Sequence, residues 1–200
     1  MPAPEIPEWI KSISHPAYRN IFSFRLGNVN LWGTETLLGD WNARYLLVAK
    51  DFYPARFVED RVGQGFPWPY SHNPEAPTNR NLLKTLRHFN QVRDPHVPQD
   101  CGFMYISACF LLRDDGVVRG ALPDMVGVMK RSAPVVLFTI DNMPNLQTVV
   151  LMGKDAEVGF RLGGGLEVAR ERGLRLHQVS HPSRAMTDDD RFREWEPLFA

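Results

Sequence analysis

Cysteine is scarce in this 200-residue chain: it carries two, Cys101 and Cys109, with no C-x-x-C pair and no four-cysteine set. Neither a structural zinc site nor an iron–sulfur cluster has the ligands it needs. The spacing of the two along one apolar run would put them on the same face of a strand, poor geometry for a disulfide, so both read as reduced core residues. Charge of one sign is not in excess either, since Lys plus Arg and Asp plus Glu balance at 23 each. No global field draws the chain onto nucleic acid or membrane, and an anion-binding surface has to be a local cluster. No apolar run is long enough to span a bilayer. The opening M-P-A-P-E-I-P-E-W has proline and acid where a signal peptide needs a basic start and an apolar stretch. The expectation is a cytoplasmic protein that engages no membrane. Internal repeats and low-complexity tracts are also missing, which excludes solenoids and arrays.

What is present is 44% apolar content, enough for one well-filled core, so a single domain over residues 1–200 is expected. Four short runs rich in Val, Leu or Ile read as buried strands: Arg44 to Ala49, Phe103 to Phe110, Gln147 to Met152 and Leu174 to Val179. Between them lie helical signals. Thr78 and Asn79 offer N-caps ahead of Leu82, Leu83 and Leu86, and Lys154 to Arg172 reads as one helix stopping at Gly173. The Asp188 to Asp190 run complements the positive end of a last helix. Alternating strands and helices predict an α/β fold, a three-layer α/β/α sandwich around a mostly parallel four-stranded sheet.

Ligands of such sheets bind beyond the carboxyl ends of the strands. Two short motifs fall there, A-K-D-F-Y-P at Ala49 to Pro54 and H-P-S-R-A at His181 to Ala185. An acid, Asp51, and an imidazole, His181, would thus be delivered toward one crevice, as acid/base or electrostatic catalysis requires. Taken singly, Asp51 reads as a turn cap and His181 before proline as a turn residue; the pairing of the two motifs reverses that. Gly63 to Pro77, with four prolines and the aromatics Phe66, Trp68 and Tyr70, reads as an ordered surface loop. Lys50, Arg56, Arg61 and Arg80 read either as a local phosphate-binding rim or as a solvated face.

These pieces resemble the uracil-DNA glycosylase superfamily. The resemblance runs from about Trp41 to the end and rests on five segments in order: A-K-D-F-Y-P, the aromatic loop leading into T-N-R-N-L-L-K-T-L, M-Y-I-S-A-C-F, V-V-L-M-G-K and H-P-S-R-A. It implies a monomeric, monofunctional enzyme of base excision repair that removes uracil from DNA without metal or organic cofactor. Hydrolysis of an N-glycosidic bond builds positive charge on the sugar and negative charge on the departing base. On this resemblance Asp51 would position water and stabilise the sugar cation, and His181 would donate a hydrogen bond to the uracil oxygen O2. A neutral imidazole suffices for that. Ala49 and Lys50 would line the substrate beside Asp51, and Tyr53 would crowd the C5 position and exclude thymine. Phe66 would stack on the flipped base, an interaction worth about 1–3 kcal/mol, with Asn79 in the pocket. Ser183 would hold a DNA phosphate, and Arg184, Ala185 and Met186 would occupy the place of the duplex wedge.

Departures from the family pattern bear on specificity. Ala49 and Lys50 stand where glycine and glutamine are common; a lysine there would bind phosphate or draw the pKa of Asp51 down. Pro54 replaces a histidine, and Ser107 replaces the asparagine that reads the uracil edge. Serine cannot present the fixed donor-and-acceptor pair of an amide, and it reads equally as a small buried residue bonded to backbone. Alternatives are therefore a glycosylase for another deaminated base, hypoxanthine or xanthine, a weakly catalytic lesion-binding member of the fold, or a hydrolase of free nucleosides.

Overall fold

A computed structural model describes residues 4–20, 39–52, 54–56, 59–60, 77–92, 102–117 and 120–199. After a one-turn helix α1 (Glu8–Lys11), β1 (Tyr18–Arg19) pairs antiparallel with β4 (Leu112–Arg113) as a small ribbon. The main sheet comprises β2 (Tyr45–Ala49), β3 (Phe103–Ser107), β5 (Thr148–Met152) and β6 (Arg175–Val179) in the order β3-β2-β5-β6, all parallel. The helices are α2 (Pro77–His88), α3 (Met125–Asp141), α4 (Lys154–Leu162), α5 (Gly165–Glu171) and α6 (Asp188–Phe199).

Side chains alternate across a strand, and here the alternation sorts the core into two clusters. Leu46, Val48, Met104, Ile106, Val149 and Leu151 pack with Val128 and Met129 of α3, Phe160 of α4 and Ala169 of α5. Leu47, Ala49, Phe103, Val150, Met152 and Val179 pack with Leu82, Leu83 and Leu86 of α2 and Trp195 and Leu198 of α6. Helices thus cover both faces, which is the expected three-layer α/β/α arrangement. Each fully buried leucine or valine stabilises the fold by roughly 1.5–3 kcal/mol. Burial on both faces is why β2 and β5 read as unbroken apolar runs.

Several local expectations are corrected. Thr78 and Asn79 are not caps: α2 begins at Pro77, whose fixed φ and missing N–H suit a first helical position, so both lie inside the first turn. Lys154 to Arg172 is not one helix. It breaks at Gly163 and Gly164, where Gly164 takes φ of 78° and starts α5. The second run ends as a strand at Ser107 rather than Phe110, although the ladder to β2 continues through Ala108 N–H to Ala49 O and Cys109 N–H to Lys50 O, both 2.8 Å. Finally β6 is not a buried strand: it is one of the two edge strands, and unlike the other, β3, it has only Val179 of its residues buried. The acidic run does form the first turn of α6, with Asp188 ion-paired to Lys84 of α2. Among the described residues, no helix is long and apolar enough to cross a membrane.

Candidate functional site

From β2 the chain passes to β3 on one side and then returns to β5 on the other, so the strand order reverses between β2 and β5. Connections leaving those two carboxyl ends diverge and open a crevice, the usual ligand position in an open parallel sheet. Lys50 and Asp51 leave β2 there, and Gly153 leaves β5. His181, just past the end of β6, reaches the same place because Gly153 has no side chain. A Cβ on Gly153, already at φ of 93°, would sit 3.2 Å from the His181 Cβ.

Asp51 is largely buried, and burial pushes its carboxyl up to about 6. The Lys50 and Arg113 charges pull it down and Asp155 pushes it up, all by charge and not by hydrogen bonding. Lys50 does pull this acid down, as expected, but desolvation outweighs the nearby cation and the net shift is upward. Lys50 is itself engaged: its Nζ donates to the Gly120 carbonyl at 2.7 Å and pairs with Asp155 Oδ2 at 3.2 Å. Arg113, 4% exposed, forks onto Asp115 at 2.7 and 3.1 Å.

His181 is also partly buried, and desolvation first, then the Lys50 charge, holds its imidazolium below the ordinary range, with Asp155 opposing. Two contacts decide its tautomer. The Ser183 backbone N–H donates to Nδ1 at 3.2 Å, and Ser183 Oγ lies 2.8 Å from the same nitrogen. An Nδ1 that accepts a backbone proton leaves the ring hydrogen of the neutral imidazole on Nε2. Ser183 thus orients the imidazole.

The loop carrying His181 is held on every side. Arg184 N–H donates to His181 O at 2.8 Å, and Asn81 Nδ2 of α2 donates to Pro182 O at 2.8 Å. Glu194 of α6 accepts from the Ser180 backbone N–H and from Ser180 Oγ, each at 2.8 Å, while Arg184 Nη1 donates to Ser180 Oγ at 2.9 Å. Arg184 and Ala185 are exposed and Met186 is half-buried.

Ser107 is fully buried opposite Ala49 at the end of β3, and its Oγ has no hydrogen-bond partner among the described residues. The reading of Ser107 as a hydroxyl satisfied by backbone is therefore overturned. Asn79 is 8% exposed on α2, whereas Arg56 and Arg80 are exposed. Cys109 is buried and free, its thiol pushed up to about 12 by desolvation. Tyr53, Phe66, Trp68, Tyr70, Arg61 and Cys101 lie outside the described residues.

Sequence reasoning missed Asp155, Arg113, Asn81 and Glu194. Only Asp155 carried a signal, an acid in the first turn of a helix beginning after V-V-L-M-G; the others are ordinary surface residue types. Among the described residues, a separate hollow of about 440 Å³ is lined by Asn42, Arg44, Pro144, Asn145, Leu146 and Gln147. It lies at the amino ends of β2 and β5, opposite Asp51 and His181. Models of known protein families do not match the chain, and no curated protein matches its sequence significantly.

Proposed function

We propose that the protein is a monofunctional DNA glycosylase that hydrolyses the N-glycosidic bond of uracil in DNA. The observation that carries this reading is the electrostatic division of labour at the β2/β5 crevice. A carboxyl with its pKa raised to about 6 and an imidazole with its pKa lowered share the neighbours Lys50 and Asp155. Near neutral pH the first is an anion and the second a neutral donor. That pair suits a reaction whose transition state is positive at the sugar and negative at the leaving base.

In this mechanism Asp51 directs water at the anomeric carbon and stabilises the developing cation. The C–N bond breaks, its electrons leave with the base, and Nε2–H of His181 donates to the base oxygen that takes up the charge. Water supplies the hydroxyl of the abasic sugar and, through Asp51, the proton that is released. Burial of both groups strengthens these interactions and raises the penalty for misplacing either. No step uses a lysine as nucleophile, consistent with Lys50 being tied to Asp155 and the Gly120 carbonyl.

One observation favours a second base. Ser107 offers a single buried hydroxyl in place of an amide, and a hydroxyl that can donate or accept suits the carbonyl and N–H edge of hypoxanthine or xanthine as well as that of uracil. The test is release of uracil, hypoxanthine, xanthine or thymine from single- and double-stranded oligonucleotides, read by alkaline cleavage at abasic sites, over a series of salt concentrations. Uracil release that falls steeply with salt supports the proposal, because phosphate contacts are screened. Purine release would change the base and keep the mechanism. Binding without release would make the chain a lesion-binding protein, and cleavage of free nucleosides without salt dependence would make it a nucleoside hydrolase.

A further inference from the structure

We infer that Glu194 is a positioning residue for His181, acting through a two-point clamp on Ser180. This deepens the reading of His181 as the donor to the departing base and rests on it. Glu194 Oε2 accepts the Ser180 backbone N–H and Oε1 accepts its hydroxyl, both at 2.8 Å. A carboxylate that takes both protons of one residue fixes its backbone orientation as well as its position. Ser180 is bonded directly to His181, so that orientation sets where the imidazole begins.

Glu194 is immobilised in turn. The His177 Nε2 lies 3.0 Å from the Glu194 backbone carbonyl, which ties α6 to β6 at the clamp residue itself, and the following Trp195 is 1% exposed in the core. Arg184 Nη1 completes the arrangement at 2.9 Å from Ser180 Oγ, so the hydroxyl donates to one charged group and accepts from another. Glu194 and Arg184 thereby hold Ser180 from two sides, and His177 holds Glu194. The groups that face the imidazole are Lys50 beyond β2, Asp155 of α4 and Ser183 of its own loop; α2 contributes Asn81, bonded to the Pro182 carbonyl. Glu194 is not among them and acts on the ring only through Ser180.

The test uses the full chain as wild type, Glu194→Ala, Glu194→Gln and Ser180→Ala, with two readouts. One is the titration of His181 by NMR; the other is single-turnover base release from the best oligonucleotide substrate. Releasing the clamp should let the ring move toward water, so Glu194→Ala should raise the His181 titration midpoint toward the ordinary 6.5. The same change should slow base release by roughly 10- to 100-fold with little change in DNA binding. Glu194→Gln retains an acceptor for the N–H and a partner for the hydroxyl, so it should restore most of both. Ser180→Ala deletes only the hydroxyl arm and should shift both readouts in the same direction by less; it decides the matter if Glu194→Ala does not fold. A His181 midpoint and a rate that stay at wild-type values in the folded variants would overturn the inference. A shifted midpoint in a protein that releases no base would uphold the clamp and discard the glycosylase reading.

Discussion

Replacing Asp51 by Asn should stabilise the protein while removing its activity. The carboxyl titrates at about 6 in the folded chain against an ordinary value of 3.8. Between those values the folded state binds a proton that the unfolded state does not, so stability falls as pH rises through that window and stays reduced above it. The gap is about two pH units at about 1.4 kcal/mol each, or about 3 kcal/mol. Asn keeps the shape and has no charge to desolvate. Relative to wild type, Asp51→Asn should therefore be more stable by about 3 kcal/mol at pH 7.5, and the difference should shrink to near zero below pH 4. Urea unfolding from pH 4 to 8 measures this from the midpoints, provided the slopes match. Against a typical domain stability of 5–15 kcal/mol the effect is easily resolved. A variant no more stable than wild type at pH 7.5, or a difference that grows as pH falls, would refute the claim that burial dominates this carboxyl.

Further outcomes follow from the same geometry. The rate of base release should fall on the acid side with a midpoint near pH 6, where Asp51 takes up a proton, and stay flat above it while His181 remains neutral; a midpoint near pH 4 would place the essential carboxylate elsewhere. Gly153→Ala should destabilise the fold by about 1–2 kcal/mol, from the positive φ and the 3.2 Å approach to His181, with a loss of rate beyond what stability explains; thermal unfolding beside single-turnover kinetics separates the two. Ser107→Ala removes a buried hydroxyl without a partner and should stabilise the chain by roughly 1 kcal/mol. If the hydroxyl reads the base, the same substitution should flatten the preference among uracil, hypoxanthine and xanthine, and an unchanged preference would remove Ser107 from that role.

The parallel sheet was legible because β2, β3 and β5 are buried on both faces and so appear as unbroken apolar runs. The edge strand β6 shared the Leu and Val content but not the burial, since neighbouring strands cannot be ordered from composition. The helix break at Gly163 and Gly164 was hidden because glycines inside a periodic segment can be tolerated, as Gly159 is, or can end it, and only the packing decides. At the site, Asp51 and His181 stood out by their position after strands. The direction of the Asp51 pKa did not, because the adjacent Lys50 is visible in sequence whereas desolvation is a property of the assembled crevice. Glu194 was unreadable for the same reason: a glutamate on an amphipathic helix looks like a solvated face until the fold brings it to Ser180.

The most direct test of the central claim is single-turnover release of uracil from a single-stranded oligonucleotide at pH 7.5 by wild type, Asp51→Asn and His181→Ala. The account predicts measurable release by wild type and losses of at least about a hundredfold in each variant, with folding and DNA binding retained. Release by wild type that survives in Asp51→Asn, or no release of any base from DNA by the wild-type protein, would contradict it.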